Sequence, residues 1–243
     1  MKQLSWIIIF SISQLSFTSI FGQTQKPKLE ISHLTSNFYI FTTYNVYKGN
    51  AVPANGMYLV TDSGVVMFDS PWDTTQFQPL LDSIKVKHNK AVVICIATHS
   101  HKDKTAGLEF LKERGVKTFT TKQTDEISKK KGEKRAEFLM EKDTVFSVGQ
   151  YKFQTYYGGQ GHTADNIVIW FDKEKILYGG CLVKSVEAKD LGNLEEANVK
   201  EWPATIKKIQ AKFKNPKFII PGHQSWASKE SLQHTLDLIA AYK

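Results

Sequence analysis

Ala97-Thr98-His99-Ser100-His101-Lys102-Asp103-Lys104-Thr105-Ala106-Gly107 joins an apolar, β-branched run, Ala91 to Ile96, to a helix-like segment that begins at Leu108. Such a run reads as a strand. Two imidazoles and a carboxylate therefore fall at i, i+2 and i+4 on a strand-to-helix turn. Residues two apart in extended chain point to the same side, and the turn brings the third round. Nitrogen and oxygen donors placed this closely suit a borderline cation such as zinc. A polar loop with two chance histidines is the competing reading, and the rest of the chain decides between them.

On the amino-terminal side, β-branched and aromatic runs predict strands at Asn37–Tyr44, Met57–Val60 and Val65–Phe68, followed by a helix from Thr74 through Ile84. Lys48-Gly49-Asn50 and Ala54-Asn55-Gly56 read as turns. The loop between them, Val46 to Ala54, carries Tyr47, Val52 and Pro53, which either tuck inward or flap over a substrate. Asp69, at the end of a strand, is a cap or a buried group supporting a site. Trp72 packs either near the site or in the core, and the core is the favoured reading.

On the carboxyl-terminal side, strands are predicted at 115–120, 145–148, 151–157, 167–171, 175–178 and 218–220. A charged helix is expected to reach about Glu141, and amphipathic helices follow at Trp202–Phe213 and Lys229–Tyr242. Two halves, each with strands followed by helices, predict an α/β fold of two sheets packed face to face with helices outside.

Of seven histidines, four fall just after apolar strands. These are His99, His101, His162 (after Gly158-Gly159-Gln160-Gly161) and His223 (after Pro221-Gly222). Cys181, after Gly179-Gly180, has the same kind of place, and Asp103 follows two residues behind His101. Strand ends at one rim of layered sheets converge on a single site even from distant parts of a chain. His33, His88 and His234 lie in ordinary polar surroundings and receive no role. Chance does not pick strand ends repeatedly, so the metal reading prevails over the polar loop.

Lys2, the apolar run Trp6–Phe10 and the small residues up to Gly22 resemble a secretory signal, with cleavage near Gly22 and Ser19 as the alternative. Ser11, Ser13, Gln14 and Ser16 interrupt the run and argue against a permanent membrane span. The expected organisation is a signal peptide over 1–22 and a single domain over 23–243, exported to the periplasm. With 41% hydrophobic and 23% charged residues the chain is of ordinary globular composition. Losing Lys2 from a formal charge of +8 leaves +7, so the mature chain is basic. Its densest basic run, Lys129 to Arg135, is interleaved with Glu126, Glu133 and Glu137 and reads as a solvated helix face. That weighs against a nucleic-acid or polyanion-binding protein. In an oxidising compartment the two cysteines, Cys95 and Cys181, default to a disulfide.

His99-x-His101-x-Asp103, Gly161-His162-Thr163, Gly180-Cys181 and Pro221-Gly222-His223 resemble the metallo-β-lactamases across the mature chain. The resemblance implies a four-layer αββα sandwich. The motif is shared with thioesterases, lactonases and nucleases of the fold, which makes a hydrolase of thioesters, lactones or phosphodiesters the alternative function. Lys104 stands where many of those relatives have a second histidine, and Cys181 supplies a thiolate they lack. His99 stands where subclass B2 has asparagine. The pattern is similar to class B, subclass B1.

By that resemblance His99, His101 and His162 hold one zinc ion and Asp103, Cys181 and His223 a second, so Cys181 is a ligand rather than half of a disulfide. The implied activity is hydrolysis of β-lactam antibiotics (penicillins, cephalosporins, carbapenems) by a metal-bound hydroxide without a covalent enzyme intermediate. Asp103 and Asn193 are implied as catalytic, with Lys184 and Asn193 binding substrate. Asp69, Lys104 and Thr163 are the supporting residues, and Gln224 departs from the glycine of several relatives. The implied partner is a small-molecule β-lactam acting on a monomer, with no nucleic acid and no membrane after signal cleavage.

Overall fold

The structure, a computed structural model, describes residues 29–47 and 49–242. The expected signal segment, 1–22, lies outside the described residues. Among those described, no helix is long and apolar enough to cross a membrane.

In chain order the first sheet's strands are β1 (Glu30–Thr35), β2 (Phe38–Tyr47), β3 (Asn50–Thr61) and β4 (Gly64–Phe68). Helix α1 (Phe77–His88) follows a short 3-10 turn, and β5 (Val92–Ile96) leads into α2 (Lys102–Thr105) and α3 (Leu108–Lys112). Then come β6 (Lys117–Thr121), α4 (Lys122–Lys131) and β7 (Phe138–Met140). The second half holds β8 (Val145–Val148), β9 (Tyr151–Tyr156), β10 (Val168–Phe171), β11 (Ile176–Gly180), α5 (Trp202–Lys212), β12 (Phe218–Pro221) and α6 (Ser231–Ala241).

Strands β1 to β7 form a sheet in sequence order, and the second sheet runs β12-β11-β10-β9-β8. Between the two inner faces lies an aromatic core in which Phe38 and Phe68 each meet Phe171 edge-on, with centroids at 4.9 and 5.5 Å. Such pairs add about 0.5–1.5 kcal/mol each to the area they bury. The outer face of the first sheet packs Val65, Met67 and Cys95 against Leu80 and Ile84 of α1 and Leu108 of α3. The outer face of the second packs Val168 and Leu177 against Ile206 and Ile209 of α5 and Ile239 of α6. All five residues of β4 are buried, as a strand covered on both faces requires. The result is the αββα sandwich the sequence predicts.

Three expectations change. The loop expected over Val46–Ala54 is ladder: β2 and β3 pair from Phe38↔Leu59 out to Tyr47↔Asn50. Asn55 and Gly56 therefore lie inside β3. Glycine is needed at 56 because a Cβ there would sit 2.0 Å from the Phe41 ring, which crosses the strand. The charged helix stops at Lys131, capped by Gly132 in the left-handed region at φ 67, and Phe138–Met140 then pairs with β6 at the sheet edge. Strand β1, unforeseen in the sequence, adds to β2 at the opposite edge.

Candidate metal centre

The parallel strands β4, β5, β11 and β12 end at one rim, and their next residues carry the chemistry. Asp69 follows β4 and is fully buried in the left-handed region at φ 63. Its carboxylate accepts from the Thr98 amide (2.7 Å), the Thr98 hydroxyl (3.0 Å) and the Tyr178 hydroxyl (2.7 Å). That fixes the turn after β5 on which His99 and His101 stand. Burial raises the Asp69 carboxyl to about 6, against the pull of Lys104 and of the hydrogen bonds from Tyr178 and Thr98.

The rings of His99, His101 and His162 lie 4.8 to 5.1 Å apart, nearly perpendicular to one another. His101 Nδ1 is 3.1 Å from His162 Nε2, and His99 Nε2 is buried without a hydrogen-bond partner. Burial holds His99 and His162 well below the usual imidazole range, reinforced by the neighbouring His101 ring for the first and by the Lys184 ammonium for the second. Both rings are thus neutral and present lone pairs, the state a metal ligand needs.

Asp103, Cys181 and His223 form a second set. Cys181 Sγ, Asp103 Oδ2 and His223 Nε2 are each 3.3 Å from the other two. Donors sharing one tetrahedral ion at roughly 2.0–2.3 Å stand about 3.3–3.7 Å apart, so this triangle fits zinc. The His223 Nδ1–H donates to the Pro53 carbonyl at 2.6 Å, which leaves Nε2 to face the set. A ligand imidazole is oriented in this way by its other nitrogen. At Gly222 a Cβ would sit 2.5 Å from Cys181 Sγ, so only glycine lets that strand end approach the thiol. Cys95 and Cys181 are both free and buried, and the disulfide default fails. Burial and Asp103 push the Cys181 thiol up, opposed by Lys104 and Lys184.

Lys104 is completely buried between Asp103 and Asp69. Its ammonium donates to the Asn55 carbonyl at 3.1 Å and pairs with Asp103 at 3.3 Å and Asp69 at 3.9 Å. Burial works against both charges, but Cys181, Asp103 and Asp69 keep Lys104 protonated, and Lys104, His223 and His99 hold Asp103 well below the carboxylate range. Asn55 sends its side-chain N–H groups to the carbonyls of Pro221 (3.0 Å) and Gln224 (2.8 Å), tying β3 to the loop of the last histidine. Gln224 itself is left-handed at φ 61, so it keeps the backbone shape a glycine would take there, at a cost of about 1–2 kcal/mol.

All six donors thus come together. Four of them, His101, Asp103, His162 and His223, line a cleft of about 940 Å³ that Tyr47, Val52, Pro53, Trp72, Lys184 and Asn193 also line. Trp72 takes the less favoured of its two expected places: it is half-buried in this wall, with its ring centroid 6.4 Å from that of His223. Lys184 is buried and its ammonium lies 5.3 Å over the Trp202 ring, with no carboxylate at ion-pair distance among the described residues. Asn193 is exposed, and its side-chain oxygen accepts from the Glu195 amide at 3.3 Å. Thr163 is buried and its hydroxyl has no hydrogen-bond partner among the described residues. His33, His88 and His234 lie outside the set: they meet Ser36 O, Tyr58 OH and Ala188 O.

Glu196 carries no sequence signal. Its Oε2 accepts from His101 Nε2–H at 2.8 Å and its Oε1 pairs with Lys131. Lys131 belongs to the run read as a solvated face. Its neighbours do pair at the surface, Lys134 with Glu109 and Arg135 with Asp125, but Lys131 turns into the cleft.

Comparison with known proteins agrees with this arrangement. The metallo-β-lactamase superfamily model matches residues 49–223. A metallo-β-lactamase type 2 of Elizabethkingia meningoseptica is 44% identical over 243 residues, 100% of this chain and 97% of its own. Metallo-β-lactamase IND-1 of Chryseobacterium indologenes is 45% identical over 206 residues, 85% of this chain and 86% of its own. The crystal structure of metallo-β-lactamase IND-7 superposes with a TM-score of 0.85 at 43% identity, covering 89% of this chain and all of that one. The chain belongs to the metallo-β-lactamase superfamily, in its class B β-lactamase branch of the B1 type. A metal cofactor follows from that membership and from the donor sets.

Proposed function

We propose that the enzyme is a zinc-dependent β-lactamase that opens the amide bond of penicillins, cephalosporins and carbapenems with two Zn²⁺ ions and no covalent enzyme intermediate. His99, His101 and His162 would hold one ion and Asp103, Cys181 and His223 the other. When bound, zinc supplies a Lewis acid and lowers the pKa of water to about 7, making a nucleophile available at neutral pH. The observation that carries the substrate reading is the Lys184 ammonium, buried at the cleft that donors of both sets line and without a carboxylate at ion-pair distance among the described residues. β-Lactams carry a carboxylate beside the scissile bond, and Lys184 would bind it.

The other roles follow from placement. Asp103, kept ionised by Lys104, would serve as an acceptor for the nucleophile's proton as well as a metal ligand. Asn193 would turn its side-chain N–H to the lactam oxygen, a contact worth at most roughly 3 kcal/mol and less on an exposed strand of loop. The tip of the β2–β3 hairpin, with Val46 68% exposed, would cover the bound substrate. The organisation we propose is a single domain over 23–243, exported to the periplasm as a monomer after removal of 1–22.

Hydrolysis of nitrocefin and imipenem by zinc-loaded protein, lost on chelation, is the expected result. Turnover of thioesters, lactones or phosphodiesters with none of β-lactams would overturn the reading in favour of another hydrolase of the fold. Lys184→Ala is expected to raise KM about 10-fold or more while changing kcat less, since losing one charge-assisted hydrogen bond costs roughly 1.5–3 kcal/mol. An unchanged KM would remove Lys184 from the substrate site.

A further inference from the structure

We propose that Lys131 and Glu196 are positioning residues, a relay from helix α4 through the 190–197 loop that sets the tautomer and angle of His101. This rests on the reading of His101 as a metal ligand. Glu196 has both oxygens committed: Oε2 to His101 Nε2 at 2.8 Å, Oε1 to the Lys131 ammonium. A carboxylate only accepts, so Nε2 carries the proton and Nδ1 is left with its lone pair. That same Nδ1 lies 3.1 Å from His162 Nε2, inside the first donor set. The hydrogen bond therefore does two things: it selects the tautomer that can bind a metal through Nδ1, and it fixes the ring plane.

Lys131 is the last residue of α4, and Gly132 at φ 67 turns the backbone away just beyond it, so the side chain extends over the cleft instead of continuing the helix face. It holds Glu196 in place without touching His101. His101, Glu196 and Lys131 have side chains 19%, 31% and 31% exposed, so the relay is partly screened and its strength depends on salt. The loop it anchors also carries Asn193, whose oxygen caps the Glu195 amide one residue before Glu196. One ion pair thus couples a helix outside both donor sets to a metal ligand and to a substrate-side residue.

The test is zinc affinity, measured by competition with a chromophoric chelator, together with cobalt substitution and hydrogen exchange of the 190–197 loop. Glu196→Gln is expected to weaken the three-histidine site about 10-fold. Lys131→Met is expected to weaken it about 2- to 5-fold at low salt and not at 1 M salt. The cobalt–thiolate band, which reports the Cys181 site, keeps its wild-type affinity in both. The charge-swapped pair Lys131→Glu with Glu196→Lys separates positioning from mere stapling: loop protection returns, but zinc affinity does not, because lysine cannot accept the His101 proton. Recovery of zinc affinity in the swap, or no change in Glu196→Gln, would overturn the relay. Failure of the wild-type protein to take up zinc, with His99→Ala unchanged from it, would instead overturn the metal reading underneath.

Discussion

Stripping the enzyme of metal is expected to reduce β-lactam hydrolysis by about 10³-fold or more, because a metal supplies several kcal/mol of charge stabilisation and each 1.36 kcal/mol is a factor of ten. The protein groups that remain cannot replace it. In their proposed roles Lys184 and the Asn193 amide only bind and orient, and among the described residues no serine or threonine hydroxyl lining the cleft is hydrogen-bonded to an imidazole. Stability falls with activity. A ligand held at a thousand times its Kd stabilises by about 4.1 kcal/mol, and at about 2–4 °C per kcal/mol for a chain of this size Tm should drop by about 8–16 °C. The loss concentrates where donors crowd: His99 Nε2 is buried and unpaired, and Asp103, Cys181 and His223 sit 3.3 Å from one another. Calorimetry with and without chelator checks the shift, and cobalt uptake checks its origin. A cobalt–thiolate band lost in Cys181→Ser places one ion on Cys181. A chelated protein with unchanged Tm and undiminished turnover would show that these donors hold no catalytic metal.

The six donors were legible in the sequence because each stands where a short apolar run breaks into a turn. That pattern is local, and the convergence of strand ends at one rim follows from layered sheets. Residues that meet across distant, unpatterned chain were not legible. Glu196 sits in a connection with no periodicity, and its partners are 95 and 65 residues away. Asn55 was hidden by its neighbour: Asn-Gly ordinarily marks a hairpin turn, whereas here the glycine is needed to admit the Phe41 ring and the asparagine faces the site. Strand β7, with three residues beside a lysine-rich helix, is too short to declare a period of two. Trp72 looked like core because nothing in its sequence neighbourhood shows that Pro71-Trp72 skirts the cleft mouth. Gln224 shows the converse: a residue type that argues against a left-handed turn adopts one, because Asn55 holds its carbonyl.

Lys104→Met is expected to cost the metal-free protein about 3–5 kcal/mol, the penalty of removing one partner from a buried ionic cluster, which corresponds to a fall in Tm of about 6–20 °C. Lys104 has no exposed surface, and neither has Asp69. The variant keeps the volume but leaves Asp69 and Asp103 facing each other across the site without their shared cation, and it removes the donor to the Asn55 carbonyl. The pH dependence has a definite sign. Asp69 in the folded wild type is raised from 3.8 to about 6, so the folded state holds that proton more tightly than the unfolded chain does. Ionising it therefore costs stability: the penalty is absent below about 3.8, grows between 3.8 and 6, and is complete above 6. Lys104 is a lowering influence on this group, so its removal pushes the folded value higher and carries the penalty on above pH 6. The gap between wild type and Lys104→Met should accordingly widen as pH rises from 5 to 8 in urea titrations. Asp103 has the opposite sign, since its folded value is depressed. Its contribution is present above about 3.8 and lost at lower pH, and the variant weakens that contribution too. Adding Asp69→Asn to Lys104→Met tests the assignment, because removing the carboxylate along with its cation should recover part of the loss and flatten its pH dependence. A Lys104→Met variant within about 1 kcal/mol of wild type at every pH would mean that the buried lysine is not what allows two carboxylates to stand ionised beside the metal centre.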